Sequence, residues 1–456
     1  MRCYEILERI LKMISVLIIP MALQNLINVG ISSVDVIMLG KVNETVLSGA
    51  SLGAQVHFIM SLVLFGLSSG ASVLIAQYWG KNDVKSIQVV FGIVAKVACT
   101  VGFLFTVVTF SFAEPIMHIF SNSADVIAEG CKYLRIVCFS YLINAFTMIY
   151  LNTMRAIGVV KIATIVYFCS MITNIVANGI FIFGYFGAPR MEVEGAALGT
   201  VIARCVELLI VLFFDRIKNQ KLQFHFFYLR LKEKNLFKDF LKYSIPVVIN
   251  ELMWGAGVSC IAAILGHINE SVVAANSFAQ VARQLATVVG FGVASAAAIV
   301  IGQTIGEGKT EVARVYGKRF GVLGVITGLL GGIVILLVRP FLVNGFEMSA
   351  LSREYLATMM FIMAYFVVGQ AINTIMIVGI FRGGGDTKFG LFLDVGIMWG
   401  VAIFGGFLAA FVFDAPVMVV YMILLSDEVI KVPIVLKRYL TYKWCKNVTR
   451  EKIDIA

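Results

Sequence analysis

Charge is scarce in this sequence. Of its 456 residues 14% are Asp, Glu, Lys or Arg and 60% are apolar, where average proteins carry about 25% charge. Histidine is rarer still, with four in the chain, and the eight cysteines form no CxxC or CxxH grouping. A disulfide framework and a zinc site are therefore disfavoured. With no cluster of His, Asp or Ser near one interface, so is a membrane-embedded enzyme. No loop resembles a selectivity filter, which argues against a channel. Alternation of polar and apolar residues over about ten positions is also missing, which sets aside a transmembrane β-barrel.

What fills the chain instead is a series of apolar runs of about twenty residues or more, each long enough to cross a bilayer as a helix. Forty-one glycines and only seven prolines suit spanning helices that bend and pack closely. The fold class expected is an all-α polytopic membrane protein with twelve transmembrane helices in two pseudo-symmetric six-helix lobes. The expected spans are 14–39, 47–77, 87–112, 126–150, 162–187 and 193–214, then 240–265, 273–303, 313–338, 352–378, 389–413 and 416–436. The lobes are then 1–214 and 240–436, joined by a polar cytoplasmic linker at 215–239 and followed by a basic tail at 437–456.

The pseudo-symmetry comes from a repeat. IPMALQNLINVGISSVDVIMLG at Ile19 to Gly40 matches IPVVINELMWGAGVSCIAAILG at Ile245 to Gly266 with an offset of 226, the spacing of Pro20 and Pro246. The same offset pairs Asn43 with Asn269, Glu44 with Glu270, Gln77 with Gln303 and Gly80 with Gly306. A second echo, RAIGVVK from Arg155 and RGGGDTK from Arg382, is offset by 227. Six spans per half is an even number, so both halves enter from one side, an arrangement that leaves a cavity between two lobes.

The net charge of +10 would suggest nucleic acid in a soluble protein, but here it is concentrated in alternate connections. Lys81, Lys85, Arg155, Lys161, the run from Arg216 to Lys238, Arg314, Lys318, Arg382, Lys388 and the tail lie on one side, which the positive-inside rule makes cytoplasmic, with both termini. The tail reads as a topology and headgroup signal, and nucleic acid is not expected as a partner. Arg2, Arg9 and Lys12 precede the first run as in a signal sequence, yet the run is long and contains Gln24, Asn25 and Asn28, so it reads as an uncleaved helix.

Polar side chains inside the spans carry the chemistry. A charge at membrane depth costs roughly 2.5 to 3.5 kcal/mol on the insertion scale and marks an ion, proton or substrate pathway. Asp35 is such a charge. Asn178 and Thr200 fall at similar depth, about 8 to 13 Å from the outer helix ends at 1.5 Å per residue, and Asn174 shares the face of Asn178. One carboxylate with amide and hydroxyl oxygens suits Na⁺ at Asp35, Asn174, Asn178 and Thr200, and Asp35 alone suits a proton; singly, each Asn or Thr is more often packing glue. In the second half the acid moves: Asp35 corresponds to Ile261, and Glu251 to Asn25. Arg283 lies at similar depth to Glu251, so a neutral Glu251 to Arg283 pair stands beside a role for Glu251 in taking a proton or a cationic substrate. His57 reads as a satisfied interior histidine or a proton relay. Asp386 and Asp394 fall near the cytoplasmic interface, where placement is cheap. Met253, Trp254, Trp399 and nearby phenylalanines could line an apolar cavity for flat aromatic cations.

Taken as a set, Pro20 with Asp35, the QYWGKND and GQTIGEG connections, Asn174, Asn178, Thr200, the Pro246 to Glu251 segment and RGGGDTK resemble the multidrug and toxic compound extrusion (MATE) family, nearest to its NorM-like bacterial members, over nearly the whole chain. The resemblance implies efflux of organic, often cationic, compounds driven by inward Na⁺ or H⁺, with no other cofactor, no catalytic residue, and a monomer in the cell inner membrane. It implies a cation site at Asp35, Asn174, Asn178 and Thr200, a hinge at Pro20, and a functional acid at Glu251. The family's further acid in helix 10 is replaced here by Gln370 and Asn373. The substrate or proton path then draws on Glu251, Arg283, Gln370, Asn373, Asp394 and Trp399. A lipid-linked saccharide flippase of the same superfamily is the alternative, and it requires a cavity lined with several arginines.

Overall fold

The computed structural model describes residues 14–219, 221, 222, 228, 233–346 and 348–450. Arg2, Arg9, Lys12, Arg230, Lys232 and the end of the tail lie outside them. Among the described residues every regular element is helical, as lipid requires of a chain that must satisfy its own backbone.

In chain order the long helices are α1 (Ile19–Gly40), α2 (Glu44–Gly80), α3 (Val84–Ser111), α4 in two segments (Ala124–Val137 and Phe139–Ala156), α5 (Lys161–Phe183) and α6 (Glu192–Ile217). The second set is α7 (Lys234–Ile268), α8 (Glu270–Gly306), α9 (Thr310–Gly345), α10 (Ala350–Phe381), α11 (Thr387–Phe411) and α12, again in two segments (Val417–Leu425 and Asp427–Leu440). Among the described residues ten helices are long and apolar enough to cross a membrane, and α4, bent by 50° between its segments, makes an eleventh. The twelfth expected span is α12. Its second segment opens on Asp427 and Glu428 and continues through Lys431, and these charges hold it below the apolarity of the others.

The repeat survives at the level of residues. α2 and α8 are each 37 residues long. Each is capped by an asparagine: Asn43 Oδ1 accepts from the Val46 amide at 2.7 Å and Asn269 Oδ1 from the Ser271 amide at 2.8 Å, satisfying donors that the first turn leaves unpaired. π-helical turns occupy Ile14–Ile18, just before Pro20, and Thr374–Phe381 and Met398–Ile403 within α10 and α11. Such widened turns accommodate a backbone that cannot keep the regular ladder, and Pro20 removes one donor from it.

The chain divides into two compact units. Of the described residues, unit 1 comprises 14–22, 76–82 and 245–450, and unit 2 comprises 23–75 and 83–244. In unit 1 a core of Ala275, Ala279, Ala282 and Ala286 on α8 meets Met359, Met360, Met363 and Val367 of α10. The small residues let the helix backbones approach. In unit 2 Leu39, Val46 and Ala50 pack on Ile182, Val193 and Ala196.

Two boundaries differ from expectation. α6 continues to Ile217 and α7 begins at Lys234, so the expected linker at 215–239 is partly helix, and Asp215 is buried rather than solvated. Its Oδ1 accepts from the Tyr150 hydroxyl at 3.0 Å and from Asn219 Nδ2 at 3.2 Å, which answers the charge locally. The first part of the expected tail is packed as well. Trp444 is fully buried and stacks on Tyr439 at 5.7 Å, while the Lys446 amide donates to Gly384 O and the Val448 amide to Gln77 Oε1.

The end of α2 lies in unit 1 against the end of α8. Gly80 and Gly306 are repeat partners there: a Cβ on Gly80 would overlap Gln303 O, and one on Gly306 would overlap Gln77 O. Gly306→Val should cost about 1–3 kcal/mol through overpacking. It should lower the thermal midpoint of the purified protein in detergent, whereas Gly345→Val, at a glycine with open space around it, should leave the midpoint in place.

Candidate cation site

In unit 2, α1, α2, α4, α5 and α6 enclose a cavity of about 290 Å³ whose lining includes Asp35, His57, Tyr133, Asn174, Thr200 and Arg204. Asp35 reaches it from the C-terminal part of α1. Its Oδ1 accepts from Asn178 Nδ2 at 2.6 Å, and the same amide lies 3.4 Å from Asn174 Oδ1. The two asparagines are one turn apart on α5 and both are buried, so helical spacing delivers an amide pair to one carboxylate. Thr200 Oγ1 donates to Ala196 O at 3.1 Å within α6, and its lone pairs remain for another ligand. Asn178 Oδ1 is buried without a hydrogen bond. It packs where a side chain on Gly199 would sit, so the absence of a Cβ at 199 gives the amide its place.

Two more polar groups share the cavity. His57 stands on α2 with Nδ1 3.4 Å from Ser61 Oγ, its ring centroid 5.8 Å from that of Tyr141, and Nε2 buried without a hydrogen bond. Arg204, on α6, is the residue that sequence reasoning missed. It donates to Glu207 Oε1 at 2.7 Å, and Glu207 is 1% exposed. The signal was present, since Arg204 and Glu207 are two charges one turn apart inside an apolar run, the same anomaly as Asp35. Glu207 takes up Arg204 in direct contact, which leaves Asp35, among the described residues of the cavity, with no ion-pair partner and only the longer-range field of Arg204. Among the described residues no group of three His, Cys, Asp or Glu side chains could hold a metal ion. The available chemistry is one carboxylate with neutral oxygen donors, which suits a proton or Na⁺.

Unit 1 answers its acids differently. Glu251 does not pair with Arg283: its Oε1 accepts from Arg382 NH2 at 2.7 Å, and both side chains are largely buried. The expectation failed because depth was counted along straight helices, whereas Arg382 follows the π stretch of α10 and returns to α7. The repeat contains the correct partner. Arg155, the counterpart of Arg382, lies 3.4 Å from Gln24 Oε1 and donates to Asn152 Oδ1 at 2.5 Å, so in each unit the arginine that opens the echo motif turns back to the proline-bearing helix. Next to Glu251, Asn250 Nδ2 donates to Asp394 Oδ2 at 3.2 Å, and Asp394 Oδ1 pairs with Lys431 at 3.1 Å. Asn373 donates to Glu428, while Gln370 is half-buried. Asp386 is 4% exposed and is held by Arg438 at 2.6 Å and Lys446 at 2.7 Å. Trp399 donates its indole N–H to Met253 O at 3.2 Å and joins Cys260, His267, Phe404, Phe407 and Phe411 around an apolar cleft of about 600 Å³ between α7 and α11. Trp254 is exposed on the surface of the unit.

Comparison with known proteins places this arrangement. The profile of the MatE family matches residues 20–180 and 246–408. The chain is 24% identical over 440 residues to a probable multidrug resistance protein NorM of Thermotoga maritima, covering 96% of this chain and 94% of that one. It is 22% identical to an uncharacterized transporter, YisQ, of Bacillus subtilis, over 81% of each chain. Among solved structures, a MATE protein in a bent conformation superimposes with a TM-score of 0.85 at 18% identity, over 95% of this chain and 96% of that one. An outward-facing multidrug resistance MATE family transporter does so with a TM-score of 0.85 at 19% identity.

The Glu251 pair can be tested directly. Arg382→Met leaves a buried carboxylate without its partner and should cost about 3–5 kcal/mol. Adding Glu251→Gln should restore most of that loss, read as recovery of the thermal midpoint in detergent.

Proposed function

The chain belongs to the MATE family, and from that premise we propose that it is a cation-coupled antiporter that exports organic, mainly cationic and aromatic, compounds. The observation that carries this reading is the carboxylate of Asp35, held by the amide of Asn178 in a cavity where the other charges pair with each other. A charge kept at that depth without a fixed counter-ion binds and releases a mobile one.

In this reading Asp35, Asn174, Asn178 and Thr200 bind Na⁺ or H⁺ and stabilise one arrangement of the protein, while the exported compound stabilises the other. Each ligand shifts the equilibrium only by its differential affinity, so exchange follows from competition. Pro20, preceded by the π turn, is the hinge through which α1 responds. Glu251, Arg283, Gln370, Asn373, Asp394 and Trp399 serve the substrate or proton path, and the aromatic cleft beside Trp399 suits flat apolar cations. The NorM relatives named as multidrug resistance proteins support the substrate class. The flippase alternative is disfavoured, because Arg204 and Arg382 are each ion-paired and do not present an arginine-lined surface. The positive-inside pattern supports a multi-pass protein of the cell inner membrane with both termini cytoplasmic, and a monomer is the working unit of this reading.

Proteoliposomes loaded with ethidium should show efflux when an inward Na⁺ or H⁺ gradient is imposed, and the two gradients applied singly identify the coupling ion. Asp35→Asn should abolish gradient-driven exchange while ethidium still binds in detergent; full exchange by this variant would remove Asp35 from the coupling. Gly199→Ala, which displaces the Asn178 carbonyl, should lower the initial rate roughly tenfold, the scale of a 1.4 kcal/mol perturbation.

A further inference from the structure

Unit 1 contains a second set of ionisable groups whose geometry the pairings above leave unexplained. Asp427 and Glu428 open the second segment of α12, Lys431 follows one turn on, and Asp394 comes from α11. Asn373 closes the regular part of α10. Its Nδ2 donates to the main-chain carbonyl of Glu428 at 2.7 Å and to Glu428 Oε2 at 2.8 Å. Lys431 pairs with Asp427 at 2.7 Å and Asp394 at 3.1 Å, and Arg382 pairs with Glu251. Four acids thus share two cations. Glu428 is the one that no lysine or arginine pairs with among the described residues, although Lys431, Asp427 and Asp394 all lie within electrostatic reach of it. Of the other ionisable groups on elements packed against this segment, Tyr421 stands on the first segment of α12 with Arg283 of α8 in electrostatic reach of it, Lys388 on α11, and Arg353, Glu354, Tyr355 and Tyr365 on α10, while the groups that act on Glu428 are Lys431, Asp427, Asn373 and Asp394.

The second observation is independent of the charge count. Asn373 is 4% exposed, and its Oδ1 is buried without a hydrogen bond. An amide that gives its N–H to a carboxylate and whose own carbonyl lacks a donor is half of a cyclic acid–amide pair. When the acid carries a proton, its O–H donates to the amide oxygen while the amide N–H donates to the acid carbonyl, and every group is satisfied. A buried carbonyl without a hydrogen bond is costly, so the pair favours protonation of the acid. Asn250, which donates to Asp394, has the same unpartnered Oδ1, but Asp394 already has Lys431.

We propose that Glu428 is a proton-binding residue, with Asn373 as the amide that accepts its hydrogen bond, so that unit 1 takes up and releases a proton at the α10 and α12 contact. This rests on the reading of the chain as a coupled antiporter. The proton exchanges with water, no other bond is made or broken, and the site is separate from Asp35 in unit 2.

Infrared difference spectra of the purified protein, recorded as pH is stepped without substrate or gradient, test the site. The expected result is a carbonyl-stretch band of a protonated carboxylic acid that titrates, is lost in Glu428→Gln, and shifts in frequency in Asn373→Leu, where the amide partner is removed. Loss of the band in Asp394→Asn with retention in Glu428→Gln would overturn the proposal, as would a band that Asn373→Leu leaves unmoved. Should Glu428→Gln fail to fold, the Asn373→Leu shift decides by itself. Because neither substrate nor gradient is used, absence of ethidium exchange with the titrating band intact would count against the transport function and not against the site.

Discussion

A carboxylate among membrane-spanning helices has to be answered by the protein, because lipid offers no donor and no counter-ion. That requirement organises both units. Asp35 receives the amide of Asn178, Glu251 the guanidinium of Arg382, Asp394 both Asn250 and Lys431, Glu207 the neighbouring Arg204, and Asp215 the hydroxyl of Tyr150. The answers are of two kinds. A permanent cation fixes the acid in its charged form and makes it structural. An amide holds the acid in either form, which leaves room for exchange.

The two units distribute these answers unequally on one scaffold. In unit 2 Asp35 lines a cavity in which, among the described residues, the lining arginine, Arg204, is already paired to Glu207. In unit 1 the acids and bases form a chain across α7, α10, α11 and α12, in which Lys431 serves two carboxylates. A site with one carboxylate held by an amide and a network with a surplus of acids need not do the same work, which makes the asymmetry between the repeats as informative as their likeness.

Much of this was legible in the residues. Apolar runs located the helices because hydrocarbon thickness fixes their length, and the offset of 226 paired Asn43 with Asn269, which turn out to cap two helices of 37 residues each. Asp35, Asn174 and Asn178 were readable as a group because helical spacing places the asparagines on one face. What escaped was contact between distant segments. The pairing of Glu251 depends on how α10 returns to α7, and counting residues by depth led to Arg283 instead of Arg382. Arg204 and Glu207 escaped because, one turn apart on one helix, they pair with each other and add no net charge to the apolar run. Asp215 and Trp444 were assigned to solvated segments on composition, while their neighbours in space, Tyr150 and Tyr439, bury them.

The π-helical stretch at Thr374–Phe381 has a consequence for how the two halves relate. Between the pair Gln77 and Gln303 and the pair Arg155 and Arg382 the offset grows from 226 to 227, so the second half holds one residue more over that interval. An extra residue in a regular helix would rotate all that follows by about 100°, and Arg382 would turn away from Glu251. A widened turn takes up the addition locally. The wide turn thus acts as a spacer that lets duplicated halves differ in length while their arginines stay in phase.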